Sequence, residues 1–323
     1  MKILKKYSYT LLVLLLAVTS CEDADDNGNR IDPNNSAYDL TESNSDLSLF
    51  NEALLRTSLD ATLDSQGIYT VFAPNNAAFM QFLTANGFAD IATVPVDQLR
   101  TILLYHIIVS RLETDVITSG YIKTLGKDEE IESLDLFVDA SSPIVLNGSA
   151  TALQEDIFVD NGVVHIIDEV LALPTLTTLI DANPGFSNLS SGLSITGLDT
   201  TLSSQVGTVQ APFTVFAPDN EGFQALVDLD ATDDLDTIQD ILDLTNLADI
   251  LLYHVLGNDR LRAGEISNGL SVNTIVGNPF IIDTSTGSIQ FTDGAMTPVI
   301  ISSTDVTAIN GVLHTIDIVA RPF

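Results

Sequence analysis

A ten-residue phrase occurs twice in this chain. TVFAPNNAAF at 70–79 returns as TVFAPDNEGF at 214–223. Two more phrases repeat in the same order. LLYHII (103–108) returns as LLYHVL (251–256), and NGVVHIIDEVLALP (161–174) as NGVLHTIDIVARPF (310–323). The offset drifts only from about 144 to about 149 residues. Solenoid repeats are far shorter, ~20–50 residues. A unit of this length is a whole domain, ~100–150 residues. The chain therefore reads as one domain duplicated in tandem, 38–174 and 175–323. Each copy is large enough to bury its own core, so damage to one copy is expected to lower mainly that copy's melting temperature.

The N-terminal segment belongs to neither copy. Lys2, Lys5 and Lys6 precede the apolar run Leu11–Val18. A membrane span needs ~20 apolar residues, so residues 1–20 read as an export signal. Cys21 follows in VTSC and is the only cysteine. Its position resembles a lipobox, in which the cysteine carries lipid. A lone cysteine also excludes an intrachain disulfide. Residues 21–37 are acidic and poor in apolar side chains, as in a flexible tether. Asp23, Asp25, Asn27 and Gly28 are spaced like the start of a calcium loop, but Asn34 stands where a bidentate Glu is needed. An acidic run after the cysteine resembles the surface-export signal of Bacteroidota lipoproteins, which implies anchoring in the outer membrane.

The formal net charge is −32. Such a chain repels phosphate backbones and anionic lipid, which argues against nucleic-acid partners and leaves the lipid anchor as the membrane contact.

Within one copy, residues 44–60 place Leu47, Phe50, Leu54 and Leu55 on one helical face, with Asn44 or Ser45 as a cap. IYTVFAP reads as a strand that Pro74 ends. Asn75 and Asp219 then cap the next helix. VDQLRTILLYH and NLADILLYH read as helices. DIFVDNGVVHIID reads as a hairpin turning at Asn161-Gly162, repeated at Asn310-Gly311, with the Asn-Gly pair in a type I′ turn. Helices early and strands late indicate an α+β fold.

TVFAP followed by Asn or Asp, the Tyr-His pairs and the two NGV[VL]H segments together resemble the fasciclin (FAS1) family. They occur in order in both copies. The resemblance implies two fasciclin-like domains, each a β-sandwich or wedge flanked by helices. It implies adhesion and extracellular-matrix contact, usually without catalysis; the expected partners are extracellular matrix, neighbouring cells or surface polysaccharide, and no cofactor is expected. It also makes Tyr105, His106, Tyr253 and His254 candidate partner-binding residues. Adjacent helical positions lie about 100° apart, so one member of each pair is expected inside and the other at the surface or capping the helix.

All four histidines, 106, 165, 254 and 314, sit in repeated phrases. A metal site would pair His106 with His165 and His254 with His314. No third ligand repeats beside them, as zinc requires, and Val163 and Ile167 flank His165 as core residues do. No Gly-x-Ser-x-Gly elbow or phosphate loop is present. Forty-four carboxylates leave an accessory glycan-processing protein or weak hydrolase as the alternative. The chain has no tryptophan to stack a sugar ring, and Asp233 and Asp234, present in one copy only, read as solvated charges.

Overall fold

The computed structural model describes residues 35–208, 210–229 and 235–323. The export signal, Cys21, the calcium-like run and Asp233–Asp234 lie outside the described residues.

Each copy forms one seven-stranded mixed sheet. In the first, the strands are β1 (Tyr69–Pro74), β2 (Ile107–Ile108), β3 (Gly120–Lys127), β4 (Ser133–Asp139), β5 (Val145–Leu146), β6 (Ala150–Val159) and β7 (Gly162–Ile167). Their order is β2-β1-β7-β6-β5-β4-β3. Only β1 and β7 run parallel. The second copy repeats this with β8 (Phe213–Pro218), β9 (Val255–Gly257), β10 (Ser271–Asn273), β11 (Pro279–Asp283), β12 (Gln290–Thr292), β13 (Pro298–Ala308) and β14 (Gly311–Ile316). There β8 and β14 are the parallel pair.

The TVFAP phrase is apolar throughout because β1 is covered on both faces. Val71 and Ala73 pack with Phe50, Leu54, Phe79 and Leu103 of the helices. Phe72 points the other way, into Leu134, Leu136, Val138 and Leu146 of the remaining strands. Register shifts within β6, with Asp156 at φ 53°, bend that long strand so that it serves both layers. Asp305 of β13 repeats the device at φ 64°. The result is the α+β wedge flanked by helices.

Three local expectations are revised. The single helix over 44–60 is a 3-10 turn (Ser45–Leu47), a helix (Ser48–Thr57) and a short helix (Asp60–Leu63), broken where Ser58 turns left-handed at φ 54°. Asn44 caps the first of these. Leu47, Phe50 and Leu54 are buried, but Leu55 is exposed because the 47-50-54 spacing already fills the core-facing stripe. The hairpin turns at Asp160 and Asn161, since Val159 pairs with Gly162. Neither turn residue has positive φ, so the turn is not type I′. Gly162 is needed because a Cβ there would overlap the Tyr69 carbonyl oxygen across the parallel pair, and at Gly311 that of Phe213. Finally, Ser36 and Ala37 are buried, so the end of the expected tether is docked on the first domain.

The two cores are distinct but touch at the domain contact. Tyr121 of the first copy packs on the second core, and Ile309 of the second copy packs on the first.

Candidate functional site

The repeated phrases form the candidate site, and each residue can be followed to its partner. Thr70 of β1 donates its hydroxyl to Ser110 O at 2.6 Å and accepts from Leu112 N at 2.9 Å. Thr214 does the same with Asp259 O and Leu261 N. Asn75 accepts from Ala78 N and Asp219 from Gly222 N, both at 2.8 Å, as helix caps. Asn76 accepts from Leu49 N and donates to Ser45 O, joining the capped helix to an earlier one. Asn220 makes the matching bonds to Asn188 N and Pro184 O.

The Tyr-His pairs lie at the end of the helices Val96–Tyr105 and Leu247–Tyr253. All four side chains are buried. Tyr105 donates its hydroxyl to Asp135 O and accepts from the Asn147 amide, both at 2.9 Å. Burial pushes its phenol well above the ordinary tyrosine range. Burial likewise raises Tyr253. His106 caps its helix instead of reaching the surface. Its Nδ1 donates to Ile102 O at 2.7 Å, and its Nε2 accepts from Leu171 N at 2.9 Å. His254 repeats this with Ile250 O and Ala320 N at the same distances. An acceptor at Nε2 and a donor at Nδ1 define a neutral ring. Burial lowers both histidines to about 4.

His165 and His314 carry the opposite tautomer. His165 Nε2 donates to Leu112 O at 2.9 Å while Nδ1 accepts from Asp156 N at 3.3 Å. His314 donates to Leu261 O and accepts from Asp305 N. Both are lowered by burial. Their rings lie against Phe72 and Phe216, with centroids 5.4 and 5.5 Å apart. Every nitrogen of the four histidines is thus bonded to the backbone, and none offers a free lone pair to a metal. Among the described residues, no three His, Cys, Asp or Glu side chains gather into a metal-sized group.

Sequence reasoning read Asn161 as a turn residue and missed its larger role. Its side chain joins three distant backbone groups, as does that of Asn310. The available signal was its recurrence in both copies.

The surface formed by the described residues has hollows, and two of them bear on function. One, of about 290 Å³, is lined by Thr114, Asp115, Ser141, Ser142, Ile144 and Glu155 among others. Glu155 accepts from Ile144 N at 2.7 Å and so is partly committed. No aromatic ring lines the hollow to hold a sugar. The other, of about 220 Å³, is a mainly apolar groove beneath Pro322 and Phe323.

The family model described as the fasciclin domain matches residues 45–174 and 184–322. The chain belongs to the fasciclin family. Transforming growth factor-beta-induced protein ig-h3 of Oryctolagus cuniculus is 29% identical over 258 residues, covering 79% of this chain and 35% of that protein. Periostin of Homo sapiens is 28% identical over 248 residues, covering 75% of this chain and 26% of periostin. The chain therefore spans about a third or less of these curated relatives. A solved FAS1 domain pair from the insect cell adhesion molecule Fasciclin I aligns at TM-score 0.49 and 21% identity, covering 84% of this chain and 96% of that one. Fasciclin domains occur in cell-adhesion and extracellular-matrix proteins, at the cell surface or outside the cell. No helix among the described residues is long and apolar enough to cross a membrane.

Proposed function

We propose that this fasciclin protein is a non-enzymatic adhesion module, held at the outer membrane by lipid on Cys21. Its partners are extracellular matrix, neighbouring cells or surface polysaccharide. The observation that carries the reading is the pair of fasciclin units whose recurring histidines, Tyr105, Tyr253, Asn161 and Asn310 are all buried. Chemistry needs groups that can change partners, and these have none to spare. The Tyr-His pairs then act as supports: Tyr105, His106, Tyr253 and His254 shape each domain instead of touching a partner. Adhesion falls to the outer surface, whose acidic character favours cationic or cation-bridged partners.

The test incubates the purified full chain on a glycan array and on matrix-coated surfaces, with analysis of released products. Retention without product is expected. Oligosaccharide release that disappears in an Asp115→Asn, Glu155→Gln variant would replace this reading with the hydrolase. The anchor is tested by metabolic lipid labelling. Label on wild type and none on Cys21→Ser is expected; an unlabelled wild type found wholly in the medium rejects the anchor.

A further inference from the structure

The described residues include eight Lys or Arg side chains, and three of them meet at the contact between the domains. From Asp128 through Asp259 the sequence has no Lys or Arg at all. Scarce cations have been placed at one spot. The turn between β3 and β4 carries Asp128 and Glu130 of the first domain. Arg262 donates to Asp128 at 2.7 Å and to Glu130 at 3.1 Å. Arg260 is anchored in its own domain by Ile309 O at 2.8 Å and reaches Glu130 at 3.3 Å. Asp128 also accepts from Glu130 N and Glu132 N, which fixes the turn. Alongside, Lys123 of β3 meets Asp135 Oδ2 at 2.5 Å and crosses to Asp305 O at 2.7 Å. Asp135 in turn accepts from Thr307 N at 2.6 Å. The Asp128 side chain is fully buried and that of Arg260 is 3% exposed.

The duplication supplies an internal comparison. Arg111 stands in the first domain where Arg260 stands in the second, since Thr70 and Thr214 bond the residues on either side of each. Arg111 pairs with Glu113 and lies over Phe158, and its side chain is 32% exposed. Glu113 occupies the place of Arg262, which reverses the charge. The turn between β10 and β11, Thr274–Asn278, contains no carboxylate. The acidic turn therefore exists only on the first domain, and its double-arginine receptor only on the second.

We infer that the Asp128–Glu132 turn and the Arg260–Arg262 pair form an orientation lock that holds the two domains in one arrangement and one order. A buried charge left without its partner is strongly unfavourable, so alternative docking angles are excluded. Screening by salt acts weakly on Asp128 and Arg260, the two buried members of the lock.

The test uses the full chain with Cys21→Ser and spin labels at exposed Gln81→Cys and Thr286→Cys, one in each domain. A single narrow distance distribution is expected, unchanged at 1 M salt by comparison with ~0.15 M. Arg262→Glu should widen it at least twofold. Glu130→Gln, at a half-exposed position, should widen it less, and it carries the test alone if Arg262→Glu does not fold. A broad distribution in the unsubstituted lock, or one left unchanged by both substitutions, overturns the proposal.

Discussion

Asn161 accepts a hydrogen bond from the backbone N–H of Ala37, 124 positions earlier, at 2.8 Å. The same amide donates to Leu63 O at 2.6 Å and Ser65 O at 3.0 Å. One side chain thus ties the entry of the domain and the end of its early helices to the hairpin turn. Asn161→Ala strands two buried groups and a third that is half-buried, and should cost roughly 2–4 kcal/mol. Asn310→Ala should match it in the second domain, where Leu176, Leu202 and Ser204 are the partners. Calorimetry of both variants checks this; a loss below about 1 kcal/mol would show that these bonds are replaced by water.

Gly311 isolates crowding, whereas Gly162 combines it with a φ of 150°. Gly162→Ala places a methyl on the Tyr69 carbonyl and should cost more than about 3 kcal/mol, because β1 and β7 must part. Gly87 also has positive φ, at 72°, but nothing stands near a Cβ there. Gly87→Ala should cost only about 1 kcal/mol. Equal losses at the two sites in denaturant titrations would refute the steric account.

His106 and His254 fix the direction of one pH effect. Burial holds each at about 4, below the ordinary 6.5. The unfolded chain therefore binds protons that the folded chain refuses. Their stabilisation is complete above pH 6.5 and is lost as pH falls from there toward 4, on the order of 3 kcal/mol for each. Asp135 works against this: burial raises its carboxyl despite Lys123, so acid favours the folded form there. Relief of repulsion in a chain of net charge −32 acts in the same direction as Asp135. Unfolding free energies from pH 4 to 7 should have a smaller slope in His106→Gln than in wild type. An unaltered slope would show that the histidine protonates freely in the folded state.

Tyr105→Phe tests support against contact. It removes the bonds to Asp135 and Asn147 and should cost about 1–2 kcal/mol. Adhesion per folded molecule should stay at the wild-type level. A tenfold drop in adhesion at full folding would make the phenol a contact after all.

The parts of the fold legible in the sequence were those with local causes. The TVFAP strand ends at Pro74, and Asn75 caps the helix three residues along, so both signals lie within a few positions. The hairpin that carries His165 followed from the Asn-Gly pair beside it, although the turn lies one residue earlier. The roles of Asn76, Asn161 and Arg260 were not legible, because their partners are distant in the chain and the residue types are common in turns and on surfaces. The depth of Tyr105 was hidden for a related reason. Helical periodicity separates it from His106 by direction, but it does not reveal that strands cover one side and helices the other, leaving neither in water.

The stretch without Lys or Arg has a consequence for survival outside a cell. A trypsin-like protease finds no cleavage site from Asp128 to Asp259. The two sites bounding that stretch are Lys127, exposed on β3 and paired with Ser133 of β4, and Arg260, closed inside the domain contact. Cleavage at Arg260 must wait for the contact to open. The arginines that join the domains are thereby also hidden from the enzymes that would cut at them, and cleavage at Arg260 becomes a readout of molecules that have already come apart.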